Sequence, residues 1–232
     1  MTARQLAILH REIISCRACP RLVAWREAIA TTKRKAYRED DYWGRPIPGF
    51  GDPSASLIVV GLAPAAHGGN RTGRIFTGDR SGDFLFAALH RAGFANQPTS
   101  THRDDGLALR GVFILSPVRC APPDNKPKTD EIERCSPLFD RELALLPNAR
   151  VFFLLGAIAW KSTLDHLVRI GRARPSSRPK FGHGARAVVG DRTLVGSYHV
   201  SQQNTQTGRL TPKMFDEALA VAAALAERRA VS

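Results

Sequence analysis

Four cysteines carry the first chemical signal. Cys16 and Cys19 form a C-x2-C pair; a hundred residues later, Cys120 and Cys135 follow in a C-x14-C spacing. A tight C-x2-C places two thiolates on one metal centre, and two distant cysteines can complete a set of four ligands. Disulfides are disfavoured in a chain that reads as cytoplasmic. Zinc and a [4Fe–4S] cluster both accept four thiolates, so spacing leaves the choice between them open, and four ordinary buried cysteines are the alternative. A centre built on them staples the N-terminal helix to the segment after the second strand, which is a structural role.

Three polar segments, rich between them in Gly, Pro, Asn, Thr and His, hold the remaining candidate chemistry. Gly61 to Arg74 (GLAPAAHGGNRTGR) lacks the G-K-[ST] of a phosphate-binding loop and does not fit G-x-G-x-x-G. Its glycines still let a backbone approach a ligand closely. It continues into Ile75-Phe76-Thr77-Gly78-Asp79-Arg80-Ser81-Gly82, where Asp79 suits either acid–base work or the cap of the following helix. Pro123-Asp124-Asn125-Lys126-Pro127 offers an amide in a turn context, and Tyr198 to Thr205 offers His199.

The elements that must position these segments alternate. Ser56 to Gly61, Gly111 to Leu115, Arg150 to Leu155 and Arg192 to Gly196 read as strands. Ser81 to Ala92, Thr129 to Leu146, Ala157 to Val168 and Thr211 to Arg229 read as helices, with Thr129 or Asp130 as the N-cap of the second. Residues 1–30 read as a helix broken at Cys16–Pro20. Apolar strands alternating with helices predict an α/β domain with a central, mainly parallel four-stranded sheet covered on both faces, a three-layer α/β/α arrangement. Ligands of such sheets bind at the carboxyl ends of the strands, where all three polar segments fall. No convincing boundary divides residues 1–232, which read as one domain.

The formal net charge is +13 and the isoelectric point about 10.5. A charge of this size points to a polyanionic partner, because cations that meet phosphates release counterions. Only 7 of the 34 basic residues are lysine. Arginine makes bidentate phosphate contacts and stacks on bases, although a GC-rich genome also favours it. No apolar run approaches the ~20 residues of a membrane helix. The N-terminus lacks a signal peptide's apolar core and cleavage site, which reads as cytoplasmic.

GLAPA after the first strand, FTGD before the first long helix, VRCAPPDNKP, and HVSQQNT after the last strand together resemble the family 5 uracil-DNA glycosylases, and the four cysteines are similar to the cluster ligands of families 4 and 5. The resemblance runs from Cys16 to about Met214. It implies a uracil-DNA glycosylase-like α/β/α fold, a [4Fe–4S] cluster on Cys16, Cys19, Cys120 and Cys135, and excision of uracil and other deaminated bases from DNA by a monomeric enzyme. It also implies roles: Phe76 as the platform under a flipped base, His199 as a donor to the departing base, and Asp79 as the group that assists water. Asn125 becomes the reader of the base edge, with Gly61, Leu62 and Ala63 around it. Arg71, Arg74, Arg80 and Arg174 are expected on DNA phosphates, and Gln202 and Asn204 in the gap the base leaves.

Three positions depart from related enzymes. Ala63 stands where the best-known uracil glycosylases carry a polar side chain, so water must be assisted from elsewhere. Ser116 stands where family 4 places an asparagine. Val200 replaces the proline of a His-Pro-Ser motif. Two other readings account for part of this pattern: a non-catalytic, metal-stapled nucleic-acid-binding module, and a small-molecule enzyme such as a nucleotide hydrolase.

Overall fold

The computed structural model describes residues 2–174 and 178–228. Pro175, Ser176 and Ser177 of the basic stretch, and Arg229 of the expected last helix, lie outside the described residues.

The chain opens with two helices, α1 (Thr2–Ser15) and α2 (Pro20–Thr32), split by the Cys16–Cys19 turn. Pro20 starts α2, where its missing N–H has no helical partner to lose. Then come β1 (Phe50–Gly51), β2 (Leu57–Val60), the single turn α3 (Gly69–Thr72) and α4 (Arg80–Arg91). After these follow β3 (Val112–Leu115), α5 (Thr129–Ala144), β4 (Val151–Leu155) and α6 (Ala157–Arg169). The remainder is β5 (Arg186–Val189), β6 (Arg192–Ser197), α7 (Gln202–Gln206) and α8 (Pro212–Arg228).

The sheet runs β1-β3-β2-β4-β6-β5. Its four inner strands, β3, β2, β4 and β6, are parallel and are the four expected. Two short antiparallel edges, β1 on β3 and β5 on β6, bring the total to six.

Side chains of the inner strands alternate between two cores, as the period of two demands. Leu57, Val59, Val112, Ile114, Val151 and Phe153 face α4 and α8, meeting Leu85, Leu89, Phe215 and Leu219. Ile58, Val60, Phe113, Leu115, Phe152 and Leu154 face the opposite way, onto Phe139 and Leu143 of α5 and Trp160 and Leu164 of α6. Burial on both faces explains why these strands are continuous apolar runs, and it produces the three-layer α/β/α sandwich.

The start of α5 differs from expectation. Lys128 is its N-cap residue, and the backbone N–H of Lys128 donates to the Glu131 carboxylate at 2.7 Å; neither Thr129 nor Asp130 caps it. Arg21 of α2 binds the same carboxylate with two bonds of 2.8 and 2.7 Å, which ties α2 to α5. Inside α5, Pro137 withholds an N–H from the Glu133 carbonyl, and the Ser136 hydroxyl donates to that carbonyl instead at 2.8 Å.

Two arginines expected on DNA hold the connection from β2 to α4. Arg74 is 4% exposed. Its guanidinium donates to Thr77 Oγ1 (2.9 Å), Ser100 Oγ (2.9 Å), the Arg103 carbonyl (3.2 Å) and Asp105 (2.6 Å). Arg71 donates to the carbonyls of His67 (2.8 Å) and Gly78 (2.7 Å) and to Asp40 (2.6 Å), and lies 4.0 Å from the centre of the Tyr37 ring. A long connection carrying one helical turn leaves many backbone carbonyls without partners, and these guanidinium groups supply them. Both guanidinium groups are therefore engaged within the protein.

Removing Arg74 leaves Asp105 half-enclosed without its cation. Arg74→Ala is expected to lower stability by about 3–5 kcal/mol, read as a fall in the urea midpoint. Burial alone raises the Asp105 carboxyl, but Arg74 and the N–H groups of Leu107, Thr101 and His102 outweigh it and hold it well below the usual carboxylate range. Its folded value is depressed, so its contribution is present above the unfolded value of ~3.9 and is lost as pH falls towards the folded one. The wild-type advantage over Arg74→Ala should shrink correspondingly in acid.

Candidate active site and cysteine centre

Gly61 follows β2, and its N–H donates to the Leu115 carbonyl at 2.9 Å, so the ends of β2 and β3 stay side by side. Phe76 returns over this point with a left-handed backbone (φ +52°), a conformation that costs a non-glycine residue of order 1 kcal/mol. Its ring lies directly on Gly61: a Cβ there would sit 2.7 Å from Phe76 Cζ. Any larger residue at position 61 would push the ring off the strand ends.

His199 faces the same place from β6. Its ring centroid is 6.1 Å from that of Phe76, with the planes tilted by 34°. Val200, at the position of the absent proline, is 1% exposed in the core beside α4 and α8. Burial lowers the His199 pKa to about 4, which leaves a neutral imidazole at physiological pH. Asn204 Nδ2 donates to the His199 carbonyl at 2.8 Å and ties down the histidine's backbone. Gln202, on the same short helix α7, is exposed.

Asp79 caps α4, with Oδ1 accepting from the Gly82 N–H at 2.9 Å. The other oxygen lies over Gly68, where a Cβ would fall 1.8 Å from Oδ2. Burial pushes the Asp79 carboxyl above its ordinary range, against the pull of the Gly82 and Ser81 N–H groups; nearby Asp83 adds to the rise and Arg71 opposes it. One oxygen thus serves the helix and the other faces the glycine loop.

Leu62 and Ala63 are half-buried beside these groups. Asn125 is not brought to them by any hydrogen bond among the described residues. It is exposed in a left-handed turn with Asp124 (φ +56° and +54°). Ser116 is buried and donates to the Val118 carbonyl at 2.8 Å, which makes it a turn-closing group. Arg80 and Arg174 are exposed, as a phosphate contact requires. The pairing of Tyr42 with His67 was not anticipated: Tyr42 Oη and His67 Nδ1 are 2.9 Å apart. Both residues stood in segments rich in polar and aromatic groups, but nothing in their spacing linked them.

The four cysteines line one cavity, together with Leu22, Arg26 and Val118, and none is in a disulfide. Arg26 is 2% exposed; it donates to Cys120 Sγ at 2.9 Å and to the Cys16 carbonyl at 3.2 Å. Burial pushes the Cys120 thiol up to about 11 and the Cys135 thiol up to about 12, with Arg26 and Arg119 respectively opposing. Ala63 packs on Cys19, Leu22, Val118 and Cys120, so the cysteine centre abuts the site loop. Among the described residues no group of three or more His, Cys, Asp and Glu side chains is gathered tightly enough to hold a metal ion. No helix among them is long and apolar enough to cross a membrane.

Comparison with known proteins is consistent with this geometry. The family model described as the uracil DNA glycosylase superfamily matches residues 48–223. The chain is 53% identical to a type-5 uracil-DNA glycosylase of Thermus thermophilus, over 92% of this chain and 95% of the relative. It is 50% identical to a type-5 uracil-DNA glycosylase of Mycobacterium tuberculosis, over 93% of this chain and 80% of the relative. Similarity to a type-4 uracil-DNA glycosylase of Pyrobaculum aerophilum is lower, 30% over 69% of this chain and 65% of the relative.

The contact between Gly61 and Phe76 leaves no room for a methyl group. Gly61→Ala is expected to overpack this corner and cost about 1–3 kcal/mol. Thermal unfolding should show the loss, and an unchanged melting temperature would mean that the ring moves freely.

Proposed function

The chain belongs to the uracil DNA glycosylase superfamily, and from that premise we propose that it excises uracil from DNA as a monofunctional glycosylase, hydrolysing the N-glycosidic bond of a base flipped out of the stack. The observation that carries the reading is the convergence of Phe76 and a neutral His199 at the strand ends, beside a carboxyl, Asp79, whose environment raises its pKa.

Each group has a job in that reaction. Phe76 offers its face to the extruded base, a contact worth about 1–3 kcal/mol. The base leaves as an anion while the sugar becomes oxocarbenium-like. A neutral imidazole donates a hydrogen bond to the oxygen where negative charge develops, and it does so without keeping a proton-transfer equilibrium open at neutral pH. Asn204 holds that imidazole's backbone in place. The oxygen of Asp79 not engaged by the helix accepts a proton from water as it adds to the sugar, a role that its raised pKa suits better than an ordinary carboxylate's. Arg80, Arg174 and Gln202 are the exposed groups in this reading that meet the DNA. Asn125 belongs to the same proposal as an edge reader, on a turn that must close over the base.

The proposal extends to other deaminated bases, hypoxanthine and xanthine, because Ser116 stands where related enzymes carry an asparagine and the amide offered instead, Asn125, sits on an exposed turn that holds it less rigidly. It extends also to a [4Fe–4S] cluster on Cys16, Cys19, Cys120 and Cys135, in a monomeric cytoplasmic enzyme. The residues fit that group: four thiols without disulfides border one cavity, and Arg26 donates to a sulfur there. Four thiolates are the donor set that would hold such a cluster, and Cys16, Cys19, Cys120 and Cys135 would supply it. When bound, the cluster supplies a cross-link between α2 and the segments after β3. Iron and sulfide analysis of the purified protein should find both; zinc without iron would refute this part.

The decisive test uses a labelled duplex carrying one uracil, without added magnesium, followed by alkali. Strand scission only after alkali is expected; none with uracil, hypoxanthine or xanthine refutes the enzymatic reading. His199→Ala should slow base release by about 10²–10³-fold. The working form of Asp79 is deprotonated and its pKa is raised, so the wild-type rate should fall on the acid side at a higher pH than an ordinary carboxylate near 4 would give. Asp79→Asn should abolish that limb. His199 stays neutral until pH approaches about 4 and contributes no break above it.

A further inference from the structure

A second contact surface adjoins the site loop and is used by none of the steps above. Trp43 is fastened to α3 by two backbone bonds, Trp43 N–H to the Arg71 carbonyl (2.9 Å) and Gly44 N–H to the Asn70 carbonyl (3.0 Å). Its indole N–H donates to the Pro46 carbonyl at 3.1 Å. The ring lies flat against Gly73, where a Cβ would come within 3.1 Å of it. Two guanidinium groups lie against the indole, Arg103 at 4.9 Å and Arg45 at 5.6 Å from a ring centroid. Clefts of about 460 Å³ and about 300 Å³ open here and share Tyr42, Trp43 and Arg45 as lining.

The charges favour an anion. Of the acids nearby, Asp40 is paired with Arg71, Asp104 with Arg103 and Glu27 with Arg17. Arg45 is exposed and has no acidic partner among the described residues, where Glu39 and Asp41 are likewise without an ion pair. An aromatic ring flanked by arginines beside an open cleft has the composition of single-strand nucleic-acid sites, in which bases stack on the ring and cations track the phosphates. Paired bases cannot offer a face to such a ring; an unpaired strand can.

We propose that Trp43, Arg45 and Arg103 form a binding surface for single-stranded DNA, adjacent to and distinct from the base pocket at Phe76 and His199. It rests on the DNA-processing reading only in the identity of the polyanion. The surface holds unpaired nucleotides of the strand being searched, so it favours uracil in single-stranded over fully paired regions.

Binding of a labelled, uracil-free oligonucleotide, single-stranded or duplex, tests this without relying on catalysis. Trp43→Ala should weaken the single-strand Kd about tenfold and change the duplex Kd little. Trp43→Phe, which keeps a ring, should retain most of the affinity. Arg45→Ala should make the slope of log affinity against log salt shallower by about 0.7 on single strands. An unchanged single-strand Kd in Trp43→Ala, or an equal loss on duplex, overturns the proposal. Should Trp43→Ala melt early, Arg45→Ala and Arg103→Ala decide, and an unaltered salt slope in both overturns it. Uracil release from duplex, assayed in parallel, reports separately on the glycosylase reading: its failure with intact single-strand binding refutes that reading and leaves this surface standing.

Discussion

Two inward-facing arginines are what the site depends on. The connection between β2 and α4 must carry Phe76 and Asp79 to the strand ends, yet a single helical turn is the only regular structure within it. Arg71 and Arg74 close its geometry by capturing the carbonyls of His67, Gly78 and Arg103, and each is neutralised by an aspartate. The left-handed backbone of Phe76 is affordable only in such an over-determined frame. The same frame holds Asp79 over Gly68, where burial sets its protonation.

The layered fold was legible because both faces of the inner strands are buried, which writes them as unbroken apolar runs such as Leu57–Val60 and Val151–Leu155. The edge strands were not. β1 is two residues long, and β5 carries a mixed exposed and buried pattern with Arg186 at its start. Neither has enough buried side chains to leave a periodic trace. Within the candidate site, His199 was singled out by its place just after a strand, whereas Phe76 and Asp79 took their roles from the family resemblance.

Direction was harder to read than identity. An arginine in a glycine-rich loop looks the same whether it faces solvent or the chain's own carbonyls, and Arg71 and Arg74 face inward. Asn204 likewise reads as a surface amide until its bond to the His199 carbonyl is seen. Much of the positive charge is similarly engaged: Arg21, Arg26, Arg119 and Arg169 all bind acids or sulfur within the fold. The formal charge of +13 already subtracts all 21 acids, so it is the exposed arginines outside such pairs that present the excess to a polyanion.

The cysteine cavity also has a consequence in time. Cys16 and Cys19 are made early and Cys135 much later, while Arg21 and Arg26 reach partners on the same late segments. On a ribosome that releases the chain from its N-terminus, α2 can meet α3 early, but α1 packs mainly on α5 and waits until that helix has emerged. The part of the protein synthesised first is thus among the last to be locked, and the loop bearing Ala63, which packs on that centre, takes its final support at the same late moment.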